Sequence, residues 1–162
     1  MTIAPRQHGF VILITLVVAL ILTIMPLPGW AIPFRPQWYT LVLIYWTLAL
    51  PQRVGVGVGW IVGIIVDVMT GTLLGQHALA LSLIAFVTLK THQRVRLFPL
   101  WQQSLTVLLL LSAEKLLSLW AIGAVGQPAP PPSFWAPPLV GMVLWPWVFV
   151  ILRDLRRRFR VS

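Results

Sequence analysis

The chain has 162 residues, of which 59% are hydrophobic and 9% charged, and its mean hydropathy is +0.91. Soluble domains carry roughly 25% charged residues, so the composition excludes an ordinary soluble protein. It points to one polytopic membrane domain over residues 1–162, with no room for a separate soluble domain. Cysteine is absent, which excludes disulfides, thiolate metal sites and cysteine nucleophiles. The net charge of +9 raises nucleic acid as a partner, but the placement of the charges argues against it.

Six apolar segments follow one another at residues 10–27, 36–50, 54–70, 75–89, 100–125 and 134–152. The first lies behind Arg6 and His8 and resembles a signal sequence. It is longer than an h-region of about 7–15 residues and ends in Met25-Pro-Leu-Pro-Gly-Trp30 without a small-residue cleavage pattern. It therefore reads as a retained first helix. Pro26, Pro28, Pro33 and Pro36 break the next connection. The second and fourth segments are short against the about 20 residues of a spanning helix. Pro51-Gln52-Arg53 makes a tight hairpin into the third.

From the third segment to the start of the fourth, Gly55, Gly59, Gly63, Asp67, Gly71 and Gly75 recur at every fourth position. Each step drifts about 40° and rises about 6 Å along a helix, so Gly59, Gly63 and Asp67 share a face and Gly55 lies partly round it. Small-xxx-small ridges let helices approach closely in lipid. Packing inside the bundle and contact with a partner's helix both fit this ridge. Gly71, after Thr70, reads as a left-handed helix cap. Further on, the segment 127–133 is a stiff proline-rich loop, and Pro146 is expected to kink the last helix.

Six spans with both ends cytoplasmic put Arg6, Arg53, Lys90, Arg94, Arg96, Arg153, Arg156, Arg157, Arg158 and Arg160 inside. Only Arg35 falls outside, and Lys115 lies within the fifth segment. This is the bias of the positive-inside rule. The tail residues Arg153, Arg156, Arg157, Arg158 and Arg160 read as contacts for anionic membrane lipids. The basic residues form collars at span ends, not a surface that reads nucleic acid. Trp30, Trp38, Trp101, Trp120 and Trp135 fall near interfaces and read as belt anchors, whereas Trp46, Trp60, Trp145 and Trp147 read as packing inside the bundle.

Ionised groups in lipid are costly and turn inward to find partners. Asp67 and Glu114 reach a similar depth in the outer half, with Arg35 and His77 on the same side. The expectation is an outer polar cluster of Arg35, Asp67, His77 and Glu114, in which Arg35 neutralises Asp67 or Glu114. Such a cluster is a structural ion pair, a small pocket or a partner's docking point. Glu114 and Lys115 point about 100° apart, so one faces the bundle while the other snorkels. His8, His77 and His92 occur singly, and no metalloprotease, nucleophile-elbow or phosphate-loop pattern is present. A paired-aspartate membrane protease needs two intramembrane Asp residues, and here there is one. The reading is a non-enzyme without metal or cofactor.

Several motifs carry a resemblance: Phe34-Arg35-Pro36, Tyr45-Trp46-x-Leu48-Ala49-Leu50-Pro51-x-Arg53-Val54-x-Val56-Gly57, and Gly63-x-x-x-Asp67-x-x-x-Gly71-x-x-x-Gly75. Trp101-Gln102-Gln103 and Leu144-Trp145-Pro146-Trp147 add to them. In order and spacing, nearly the whole chain resembles the MreD family of rod shape-determining proteins. The proline-rich loop departs from that pattern. The resemblance implies a non-catalytic, multi-pass subunit of the bacterial inner membrane that binds MreC. It also implies links to MreB filaments, to the glycan polymerase RodA and to RodA's transpeptidase partner. The implied fold is an all-α bundle of six transmembrane helices, similar to the S-components of energy-coupling-factor transporters. On this view Arg35 and Asp67 match the family's motifs. A small-solute-binding subunit of a transporter is the alternative, supported by the polar cluster, although the first helix offers no small-residue ridge for docking on a transport motor.

Overall fold

The computed structural model describes residues 6–158 apart from 27, 31–34, 52–53, 72–73, 127, 129 and 131. Arg53 and Arg160, and residues 127, 129 and 131 of the proline-rich loop, lie outside the described residues. The described residues form six α-helices and no strand: α1 (Arg6–Ile24), α2 (Trp38–Ala49), α3 (Val56–Thr70), α4 (Gln76–Leu97), α5 (Leu100–Val125) and α6 (Ala136–Arg158). A short 3-10 turn, Pro132–Trp135, leads into α6. By length and composition α5 and α6 can each cross a membrane, while Phe10–Ile24, α2 and α3 are shorter apolar helices.

Two helices outrun their apolar segments. The expected fourth segment stops at residue 89, yet α4 continues to Leu97. The sixth stops at 152, yet α6 runs through its arginines to Arg158. Arginine is a good helix former, and cations near a helix C-terminus complement its partial negative charge, so these basic stretches continue the helix. Pro146 lies inside α6, which is assigned as one helix throughout.

The shortest helix lies deepest. At 12 residues, α2 is about 18 Å long, and every residue from Tyr39 to Leu48 is buried. It packs on α1, α4, α5 and α6. A helix that is apolar all round belongs in an interior. Trp46 is fully buried and its indole Nε1 donates to Thr15 Oγ1 at 2.8 Å, tying α2 to α1. Trp145 is also fully buried, but Trp60 and Trp147 are exposed, which corrects the expectation that all four pack the bundle. Large apolar side chains such as Leu13, Val68, Leu83, Leu109 and Val143 point outward from α1, α3, α4, α5 and α6. An apolar exterior of this extent fits a lipid solvent.

Helices α3 and α4 form the most extensive pair, with antiparallel contacts. A Cβ on Gly55 would meet Leu89 Cδ1 at 3.3 Å. One on Gly59 would lie 2.8 Å from the Leu81 carbonyl oxygen, and one on Gly63 would overlap the Ala78 backbone. The central part of the glycine ridge therefore packs on α4 of the same chain. Gly71 and Gly75 are not part of that packing: a Cβ on either meets nothing within 4 Å. They have φ of 70° and 101°, left-handed values that glycine adopts at least cost. Gly71 ends α3 as the left-handed cap expected of it, whereas Gly75, expected to serve packing, opens α4 and serves the turn instead.

Replacing Gly63 with Ala forces α3 and α4 apart and is expected to destabilise the protein by about 1–3 kcal/mol. Gly57→Ala, on the same helix with open space around it, is expected to be neutral or to gain up to about 1 kcal/mol. Thermal unfolding of the two variants in detergent checks the contrast.

Candidate functional site

Asp67 lies in the last turn of α3 and is 1% exposed. Its carboxylate faces the first turn of α4. Oδ2 accepts from the Gly75 amide at 2.8 Å and, more weakly, from the Ala78 amide at 3.4 Å. Oδ1 accepts from the His77 amide at 2.9 Å and pairs with the His77 ring Nδ1 at 2.8 Å. The first amides of a helix have no partner within it and carry partial positive charge. A carboxylate supplied by the neighbouring helix thus caps α4. An ionised Asp only accepts, so the His77 nitrogen that faces it carries the hydrogen.

The contacts continue across the bundle. The Tyr39 ring stands edge-on to His77, with centroids 6.0 Å apart and planes at 82°. The Tyr39 hydroxyl donates to Glu114 Oε2 at 3.1 Å, and Thr40 Oγ1 donates to Glu114 Oε1 at 2.6 Å. Glu114 is 1% exposed, whereas the adjacent Lys115 is half-buried. Asp67 and His77 on α3 and α4 are thus linked through Tyr39 of α2 to Glu114 of α5.

Arg35 does not join them. Its guanidinium donates to the carbonyls of Thr23 and Met25 at the C-terminal end of α1, which corrects the expected pairing with Asp67 or Glu114. The last carbonyls of a helix lack intrahelical donors, and a cation suits their partial negative charge. The opposite end of the bundle repeats the device. Arg96 Nε and a terminal nitrogen donate to the Leu48 and Ala49 carbonyls at the end of α2, at 2.6 and 3.0 Å. Gln103 Nε2 donates to the Val95 and Phe98 carbonyls at the end of α4, and Trp145 Nε1 donates to Gln103 Oε1.

The sequence reading missed Tyr39, Thr40, Arg96 and Gln103 as site residues. Tyr39 and Thr40 are polar groups in an otherwise apolar segment, and that was the available signal. Among the described residues no three His, Asp or Glu gather in a way that would hold a metal ion. The tail arginines Arg157 and Arg158 are exposed, while Arg153 and Arg156 are half-buried. The Arg153 guanidinium stacks over the Phe149 ring at 5.7 Å.

Residues 6–155 match the family described as rod shape-determining protein MreD. A protein of that name from Haemophilus influenzae is 35% identical over 156 residues, which cover 94% of this chain and 94% of the relative. The chain belongs to the MreD family. No solved structure matches it. As an MreD-family member with apolar outer helix faces, it is a membrane protein associated with rod shape determination.

The chemistry of the two MreD carboxylates predicts different tolerances. Asp67→Ala removes the acceptor of the Gly75 and His77 amides at the start of α4 and is expected to cost about 2–4 kcal/mol. Asp67→Asn places an amide donor against amide donors and is expected to fall between Ala and wild type. Glu114→Gln is expected to stay within about 1 kcal/mol, because the Tyr39 and Thr40 hydroxyls can rotate to donate or accept. Unfolding midpoints of the purified variants in one detergent measure this order.

Proposed function

We propose that this protein is a non-catalytic subunit of the cell-wall elongation machinery, held in the bacterial inner membrane by six spans with both termini cytoplasmic. Its direct partner in this reading is MreC, through which it bears on MreB filaments, RodA and RodA's transpeptidase partner. The observation that carries the reading is the family match over nearly the whole chain. The basic residues add to it. Arg94, Arg96, Arg156, Arg157 and Arg158 lie towards the C-terminal ends of α4 and α6, as a cytoplasmic placement of those ends requires.

A structural role suits the groups that a catalyst would need free. Asp67 holds the start of α4, and Glu114 accepts from two hydroxyls. Both carboxylates hold helices in place. Likeness to the S-components of energy-coupling-factor transporters is part of the proposal, supported by the six-helix order and the short, buried α2. In this reading the anionic lipids of the inner leaflet are contacts for the arginine-rich end of α6.

Co-expression with MreC tests the reading. A stable complex is expected in detergent, and Asp67→Ala is expected to lower its yield several-fold by loosening the α3–α4 pair. No complex, together with tight retention of a vitamin-like solute by the isolated chain, would favour a transporter subunit instead.

A further inference from the structure

At the end of the bundle away from Asp67, a recess of about 350 Å³ opens between α2, α4, α5 and α6. Tyr45, Leu48, Arg96, Gln103, Phe149 and Arg156 contribute to its lining. Gln103 is fully engaged with backbone carbonyls and Trp145. The remaining polar groups are not. Arg96 uses Nε and one terminal nitrogen on the end of α2, leaving its other terminal nitrogen and its charge. Arg156 has no hydrogen-bond or ion-pair partner among the described residues.

The Tyr45 hydroxyl, on a lining residue 2% exposed, is buried without a partner among the described residues, and so, one turn before Arg156 on α6, is Arg153 Nε. Arg156, Arg153 and Arg157 all bear electrostatically on that hydroxyl, with Asp154 the acidic residue among them. A buried donor without an acceptor is unfavourable. Arg96 and Arg156 line the same recess as this hydroxyl, and neither has an ion-pair partner among the described residues.

We propose that this recess binds the phosphate group of an anionic membrane lipid. Arg156 and the open side of the Arg96 guanidinium pair with phosphate oxygens, the geometry that suits arginine to phosphate. The Tyr45 hydroxyl donates to another oxygen, and Leu48 and Phe149 supply apolar walls for the glycerol end of the lipid. This is one built site, distinct from the general attraction of an arginine-rich tail for a charged surface. It rests on the membrane reading of the family, but not on which face of the membrane the recess occupies or on the MreC complex.

The full chain, purified in detergent, is offered phosphatidylglycerol, phosphatidylcholine with the same acyl chains, or inorganic phosphate, and retained ligand is read by native mass spectrometry. Detergent exposes both ends of the bundle, so an error in orientation or partner leaves the result unchanged. One phosphatidylglycerol is expected per chain, in preference to phosphatidylcholine. Arg156→Gln and Tyr45→Phe are each expected to lower retention about fivefold, while Arg94→Gln, exposed on α4 and outside the recess lining, leaves it unchanged. Tyr45→Phe keeps the ring contacts with Trp46 and Phe149, which separates loss of the hydroxyl from loss of the fold. Wild-type retention by Tyr45→Phe, or equal losses in Arg156→Gln and Arg94→Gln, would overturn the proposal. So would inorganic phosphate occupying the site and displacing the lipid, since the ligand would then be a soluble phosphate.

Discussion

A carboxylate and the open end of a helix are each costly in an apolar interior, and here each removes the other's cost. Asp67 needs donors because an ionised group in lipid is expensive, and the first amides of α4 need acceptors because the helix itself supplies none. The Gly75 and His77 amides and the His77 ring meet the carboxylate at 2.8–2.9 Å. That arrangement requires α3 and α4 to lie closer than ordinary side chains allow. Gly59 and Gly63 permit it, the latter with no space for even a methyl group. Ridge and carboxylate are one device, and the left-handed Gly71 and Gly75 turn the chain between its halves.

The same solution recurs wherever this bundle brings a helix end inside. Arg35 closes the carbonyl end of α1, Arg96 that of α2 and Gln103 that of α4. Arg35 and Gln103 each close the helix that precedes them in the chain, whereas Arg96 of α4 joins the end of α2, a helix the chain does not connect to it directly. Helix α2 gains most. At 12 residues it falls short of a bilayer core of about 30 Å and is enclosed by other helices, so side chains of its neighbours serve its end. The end of α2 that Arg96 closes also borders the recess lined by Tyr45 and Arg156, which puts structural and unpartnered guanidinium groups side by side.

Much of this was legible in the sequence, for reasons that also set the limits. The 40° drift per four residues placed Gly59, Gly63 and Asp67 on one face, and burial cost brought Asp67, His77 and Glu114 inward. Arg35 was assigned to the wrong partner because charges of opposite sign are visible in a sequence, whereas the partial charge of a helix end appears only once the helix bounds are known. Tyr39 and Thr40 were missed because a Glu acceptor gives no sign of which hydroxyl faces it. Nothing in residue type separates the outward-facing Trp60 and Trp147 from the buried Trp46 and Trp145, because lipid and protein core select the same apolar side chains. The extension of α4 and α6 through basic residues was hidden by reading helices only as far as hydrophobicity lasted.

The central claim is that Asp67 holds the start of α4. Hydrogen exchange measured on the full chain in detergent, across the peptide containing Gly75, His77 and Ala78, tests it most directly. In wild type these amides are expected to be protected although they open a helix. In Asp67→Asn, exchange is expected to speed up there and at the end of α3, while α5 and α6 keep wild-type rates. Unprotected amides in wild type, or the same protection in the variant, would contradict the account.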